Sequence, residues 1–179
     1  MTKNDTLKKI GGFGAALNPN GNRVNGNCAL YNNFFPGIKA GLSWLAEKYR
    51  DQSGMNIEVR NGYGPVETDK SVNYILFESA SELLSCIYAH GDARNILISI
   101  AGHGKDVEVS IEDDGEGFNG SESRAVAACS QSYHLTELHD HLKNFGGRVD
   151  VESKEGQGTR ITMVMPPYAA ENGGSRFIV

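Results

Sequence analysis

Apolar residues recur along this chain in two rhythms, one helical and one alternating, and the order of the two predicts the elements. From Pro36, the residues Ile38, Leu42, Leu45 and Tyr49 fall at helical spacing around Trp44, and Gly54 sits just past the end. Met55 to Arg60 alternates apolar with polar as a half-buried strand does, until Asn61, Gly62, Gly64 and Pro65 break it. Val72, Ile75, Leu76, Leu83, Leu84 and Ile87 predict a long helix, buried on one side, between Thr68 and His90. Asn95–Ile100 and Asp106–Ile111 read as an antiparallel hairpin turned at Gly102 to Lys105. A stretch of small residues as far as Tyr133 leads to a helix with Leu135, Leu138, Leu142 and Phe145 on one face, ended by Gly146 and Gly147. The last hairpin pairs Arg148–Glu152 with Thr159–Met165, and Pro166 and Pro167 stop its second strand.

Helices and mostly antiparallel strands in this order predict an α+β fold, a two-layer sandwich with the sheet on one side and helices on the other. Before Pro36 the pattern fades into Asn and Gly (Asn18, Asn20, Gly21, Asn22, Asn25, Gly26 and Asn27), which bury little and lose much backbone entropy on ordering. The expected organisation is a largely irregular arm over residues 1–35, a linker helix over 36–54, the main domain over 55–167 and a loose tail over 168–179.

Composition narrows the function classes. A length of 179 residues suits one compact domain with tails, and a net charge of −5 leaves no electrostatic footprint for nucleic acid. Mean hydropathy is −0.38, and no apolar run approaches the roughly 20 residues that cross a bilayer. No lysine-rich amphipathic stretch offers itself to a lipid surface either. The basic N-terminus has no apolar stretch behind it, so no secretory signal is expected and the expected compartment is the cytoplasm. Cys28, Cys86 and Cys129 are odd in number and widely spaced, matching neither a disulfide framework nor a zinc site; three reduced thiols are expected.

Candidate chemistry gathers at three places. Asp113 would emerge at the sheet rim where a strand ends, followed by Gly115 and Gly117, which allow a ligand close to the backbone. Taken alone, this stretch equally fits an ordinary acidic turn or a calcium loop, although the further oxygen ligands and closing Glu of an EF-hand are absent. A second glycine pair, Gly156 and Gly158, precedes Thr159 and the final strand. Glu82 lies four residues before Cys86 and eight before His90, which places the three on one helical face. Singly, Glu82 also fits a solvated helix position, and His90 a C-terminal helix residue favoured by the macrodipole.

Taken together, ESASELLSCIYAHGDARNILISI, then DDGEGF, then FGGRVDVESKEGQGTRITMVMP resemble the ATP-binding domain of sensor histidine kinases, within the wider family shared with gyrase, Hsp90 and MutL. The likeness covers Asn56 to Pro166, and the segment FFPGIKAGLSWLAEKYRDQSGMNIEV is similar to the linker helix of the nitrate-sensor-like branch. The resemblance implies the two-layer ATPase sandwich known as the Bergerat fold, with ATP or ADP and magnesium as ligands. By position, Asp113 corresponds to the aspartate that accepts a hydrogen bond from the adenine amino group, with Gly115 and Gly117 shaping the pocket. Thr159 corresponds to the threonine on the adenine side, with Gly156 and Gly158 as its glycines. Glu82 corresponds to the acidic residue of the N-box, which polarises a water or attacking group near the terminal phosphate. His90 remains from the same motif.

The chain departs from that pattern on one side. The branch's N-box resembles E-A-L-x-N-x-x-K-H-A, in which the Asn supplies an oxygen to magnesium and the Lys meets phosphate; here Cys86 and Ala89 stand at those positions. A thiol is a poor ligand for a hard cation, and the lost lysine removes a point charge. The family's lid resembles G-x-G-L-x-x-M, whereas His134 precedes Leu135 here. The adenine side is therefore expected to be kept and the triphosphate side eroded, giving weak or no nucleotide binding and a regulatory role. Two alternatives stand beside this reading: an active domain that phosphorylates a histidine on a separate segment, and a non-enzymatic docking module. None of His90, His103, His134, His139 and His141 sits in a phosphoacceptor context, so this stretch alone is not expected to autophosphorylate. The implied partners are a response regulator or phosphoacceptor helices, with a homodimer formed through upstream helices.

Overall fold

The computed structural model describes residues 16–17, 23–24, 35–64, 66–90, 92–117 and 135–168. The chain divides into two compact units, Met1–Pro36 and Gly37–Val179. In the first, β1 (Ala16–Leu17) pairs antiparallel with β2 (Arg23–Val24). The expectations for the rest of the arm, for Cys28 and Cys129, for His134 with the lid, and for most of the tail lie outside the described residues.

The second unit runs α1 (Ile38–Ser53), β3 (Asn56–Asn61), α2 (Lys70–His90), β4 (Asn95–His103), β5 (Asp106–Asp113), α3 (Leu135–Asn144), β6 (Arg148–Ser153) and β7 (Thr159–Met165). Its five-stranded sheet has the order β3-β4-β5-β7-β6. β3 lies parallel to β4 and every other neighbouring pair is antiparallel, which gives the mixed α+β sheet. A parallel pair needs a long crossover, and α2 supplies it.

Register and alternation together sort the sheet into two faces. One row across the sheet reads Val59, Ile98, Ile111, Ile161, Val151, and another reads Asn61, Ile100, Val109, Met163, Val149. The row between them reads Arg60, Ser99, Ser110, Thr162, Asp150, and belongs to the opposite, polar face. The helices cover the apolar face: α1 packs on α2 and β3, α2 on β5, and α3 on β6. Leu42, Leu45, Leu76, Leu84, Leu138, Leu142 and Met163 are fully enclosed between the layers. Removing each of these leucines from water contributes roughly 1.5–3 kcal/mol, which is why helices of modest intrinsic propensity form here.

The helix ends follow from identifiable bonds. α1 stops where the Gly54 N–H returns to the Arg50 carbonyl at 3.0 Å. α2 begins two residues later than the periodicity predicts, because Asp69 takes the cap and accepts the Val72 N–H at 2.7 Å. The Asp69 N–H in turn donates to the Pro167 carbonyl at 2.9 Å, tying the end of β7 to the start of α2. The β4–β5 hairpin is longer than its apolar residues indicate. Pairing extends to His103 with Asp106, leaving Gly104 and Lys105 as the turn, because ladder bonds form regardless of side-chain polarity.

Candidate functional site

Alternation from Ile111 brings Asp113 onto the helix-covered face at the very end of β5. There it stands in register with Thr159, the first residue of β7, and Thr159 with Ser153, the last of β6. The row Asp113, Thr159, Ser153 is the polar terminus of an otherwise apolar face. The Ser153 and Thr159 hydroxyl oxygens lie 2.9 Å apart, and the Ser153 hydroxyl also reaches the Gly158 carbonyl at 3.2 Å.

Asp113 and Asp114 are neighbours in sequence and opposites in environment. Asp113 Oδ1 accepts the Gly115 N–H at 2.9 Å, and burial pushes its carboxyl above the usual aspartate range against the pull of that N–H. Asp114 points away and accepts the Arg94 N–H at 2.7 Å, the Asn95 N–H at 2.8 Å and the Asn95 amide at 2.7 Å. The Asn95 donors, chiefly its backbone N–H, hold the Asp114 carboxyl below the usual range. The two carboxylates are pushed apart by their surroundings: Asp114 anchors the start of β4, and Asp113 stays half-buried on the helix-covered face.

A lowered carboxyl stabilises the fold above its ordinary pKa and loses that contribution as pH falls through the folded value. The Asp114 contribution is therefore expected to be lost as pH falls below the ordinary aspartate range, opposite in sign to that of Asp113, and Asp114→Asn to remove that part of the pH dependence in urea melts.

The two glycine motifs, far apart in sequence, form one structure. The Gly156 N–H donates to the Glu116 carbonyl at 2.6 Å, docking the loop after β5 onto the loop between β6 and β7. At Gly117, with φ of 61°, a Cβ would overlap the Lys154 carbonyl oxygen and come within 2.6 Å of that of Gly158. At Gly158, with φ of 79°, a Cβ would overlap the carbonyl oxygen of Asp113 itself. Only a residue without a side chain permits both approaches. A Cβ on Gly115 would meet Asp113 Oδ1 at 2.9 Å and Ala93 beyond it. Asp113, Gly115, Gly117, Gly156, Gly158 and Thr159 are thus gathered at one end of the sheet.

The remaining sequence candidates lie on α2, which packs against β5. Glu82 and Cys86 are both half-buried there. The Tyr49 hydroxyl of α1 donates to the Ser81 carbonyl at 3.3 Å, and burial, with the nearby Glu82 charge adding to it, raises the tyrosine above its ordinary pKa. His90 closes the helix, and its side chain lies outside the described residues. Cys86 corrects an expectation: it is disulfide-bonded rather than a reduced thiol. Spacing along a sequence does not report which cysteines fold into the few ångströms a disulfide spans.

Sequence reasoning passed over Asp114, Asn95, Ser153 and Tyr49. The alternation of β5 carried a signal for Asp114, since a residue after an inward Asp113 must point elsewhere. The others had none. Among the described residues no group of three or more His, Cys, Asp or Glu side chains could hold a metal ion, and no helix is long and apolar enough to cross a membrane.

A mixed sheet under helices, with an aspartate at the rim and two interlocked glycine loops, is the architecture of a nucleotide-binding ATPase domain. Residues 73–169, more than half of the chain, match the family described as histidine kinase-, DNA gyrase B-, and HSP90-like ATPase, and the chain belongs to it. Within that family it carries the domain of sensor histidine kinases. It is 27% identical over 137 residues to the sensor histidine kinase LiaS of Bacillus subtilis, covering 76% of this chain and 36% of that protein. It is 22% identical over 132 residues to the nitrate/nitrite sensor protein NarX of Escherichia coli, covering 74% of this chain and 21% of NarX. The chain thus spans about a third or less of the length of these relatives. Among solved structures, the histidine kinase AdeS of Acinetobacter baumannii superposes with a TM-score of 0.57 at 16% identity, over 78% of this chain and 73% of that one. The histidine kinase domain of a blue-light activated kinase from Erythrobacter litoralis gives 0.54 at 19% identity, over 73% and 61%. At these identities the likeness is one of fold.

Proposed function

We propose that this domain of a two-component sensor kinase keeps the adenine half of its nucleotide site and has lost the metal and triphosphate half. Its nucleotide binding is then weak and its role in signalling regulatory. The observation that carries the reading is the contrast between the two halves. On the adenine side, a half-buried carboxylate lies on the helix-covered face beside glycines whose missing Cβ atoms let the two loops pack backbone to backbone around it. That arrangement fits a purine: Asp113 accepts from the exocyclic amine, the interlocked loops of Gly115, Gly117, Gly156 and Gly158 fix that carboxylate at the sheet rim, and Thr159 stands beside it in register.

Magnesium does not fit the residues present. The side chain at the expected ligand position is Cys86, whose sulfur is committed to a disulfide and offers a hard cation no oxygen. Ala89 supplies no cation for phosphate, and His134 no glycine for a lid. No catalytic step is therefore derived through the metal. Glu82 keeps the position from which an acid polarises a water, and retains that role only where a nucleotide is held by other means. The setting consistent with this reading is cytoplasmic, beside a response regulator or phosphoacceptor helices, with dimerisation through helices upstream.

Calorimetric titration of the disulfide form with adenosine and with ADP, with and without magnesium, tests the reading. Adenosine and ADP are expected to bind alike, within about threefold, with no response to the metal. A tightening of ADP by magnesium of about tenfold or more would establish an active phosphate site instead. Absence of binding by either ligand would leave the docking module.

A further inference from the structure

We propose that strand β6 is a self-association edge: two copies of this chain join antiparallel through it, and their two five-stranded sheets become one. The edges of the sheet are β3 and β6, and they differ in what covers them. Along β3 the Asn56 and Gly62 N–H groups donate to the Arg94 and Ile100 carbonyls, so the Ile57 carbonyl points out of the sheet, and the Arg50 guanidinium of α1 donates to it. On β6 the Lys154 N–H donates to the Gly158 carbonyl, and the Ser153 and Thr159 hydroxyls meet at 2.9 Å, as side chains of a close, non-hydrogen-bonded pair do. Even-numbered residues of β6 therefore bond to β7. Val149 and Val151 turn their N–H and C=O groups outward, where no described residue bonds to them. Val151 is also 39% exposed, on a face that is otherwise covered. Open backbone groups beside an uncovered valine make this edge a template for another strand.

The charges of β6 select a second copy as the occupant. In an antiparallel pair, outward-bonding residues stand opposite one another, so Val149 meets Val151 of the second copy and Val151 meets its Val149. The same register, centred on Asp150, sets Arg148 opposite Glu152 on each side of a two-fold axis. Moving the centre to Val151 would oppose Asp150 to Glu152 and Arg148 to Lys154, and both are like pairs. Moving it to Val149 would oppose Val151 to Gly147, whose N–H already donates to the Leu142 carbonyl. The chosen register sets Asp150 against its own copy, and Arg148, 3.8 Å away on the same strand, offsets that charge. Opposed residues point to one face, so the helices of both copies lie on the same side of the joined sheet. One short strand from each copy makes a small contact, which places the association in the weak, concentration-dependent class.

Sedimentation of the full chain from micromolar to millimolar concentration is expected to show a monomer–dimer equilibrium. Val151→Pro removes an outward N–H and no bond to β7, so it is expected to weaken the dimer about tenfold or more while urea melts show the domain still folded. Glu152→Arg sets cation against cation across the axis and Arg148→Glu sets anion against anion, so each variant is expected to remain monomeric by itself. Mixed in equal amounts, the two variants bring opposite charges together on both sides of the axis. The mixture is expected to dimerise within about threefold of the parent affinity. A parent chain that stays monomeric at millimolar concentration would overturn the proposal. A dimer that persists in Val151→Pro, or that neither charge variant weakens, would place the contact elsewhere and overturn it as well. A mixture that fails to associate, with both variants folded, would overturn the register centred on Asp150 and with it the selection of a second copy.

Discussion

Asp113→Asn is expected to lower adenosine and ADP affinity by about 10- to 100-fold while leaving the fold intact. The magnitude follows from the roughly 1.5–3 kcal/mol carried by a hydrogen bond to a charged group, at about 1.4 kcal/mol per decade. The variant is informative because asparagine keeps one oxygen for the Gly115 N–H and presents an NH2 where the ring's own amine must donate. Donor then faces donor. Because burial raises the Asp113 carboxyl, two further results follow. Binding requires the ionised form, so affinity is full above the folded pKa and declines as pH falls through it, at a higher pH than for an ordinary aspartate. The raised pKa also means that ionised Asp113 burdens the free domain, so at neutral pH the variant should be no less stable than the parent. Calorimetry across pH with a parallel urea melt measures both. Unchanged affinity would place the base elsewhere.

Gly158→Ala is expected to be the most destabilising single substitution in the site, at roughly 3 kcal/mol or more. Left-handed backbone costs an alanine about 1–2 kcal/mol, and overpacking adds about 1–3 kcal/mol. The obstacle is the backbone of Asp113, which cannot rotate aside as a flexible side chain can. Gly156→Ala is the internal comparison: its φ of 74° is similar, but nothing lies within 4 Å of the added Cβ. It should show the backbone cost alone, about 1–2 kcal/mol. Equal losses in the two variants would mean that the carbonyl of Asp113 does not approach Gly158 so closely.

Much of the fold was legible because burial imposes period on sequence. The spacing of Leu42, Leu45 and Tyr49 could only serve a helix with one buried face, and the alternation through Val107, Val109 and Ile111 could only serve a strand. The same alternation put Asp113 on the inner face. Individual residues said less about the site. An aspartate and two glycines are common in turns, and what makes them specific is their contact with Gly156 and Gly158, some forty positions along the chain, which no local pattern encodes. Only the likeness of the ordered segments to a known family joined them. The extra pairs of the β4–β5 hairpin escaped because Ala101, Gly102 and His103 pair through backbone atoms. The Cys86 bond escaped because cross-linking depends on distance in space.

The parallel pairing of β3 with β4 has a kinetic side. Asn56 and Asn95 lie 39 residues apart in sequence, and their side-chain amides meet at 3.1 Å. No local hairpin can nucleate that pair: the intervening chain must first be laid over the sheet, a closure of high contact order. The intervening chain is α2, bearing Glu82 and Cys86. Pairing β3 with β4 and laying α2 across the sheet are therefore one tertiary closure, so the edge strand and the helix of its crossover are secured together.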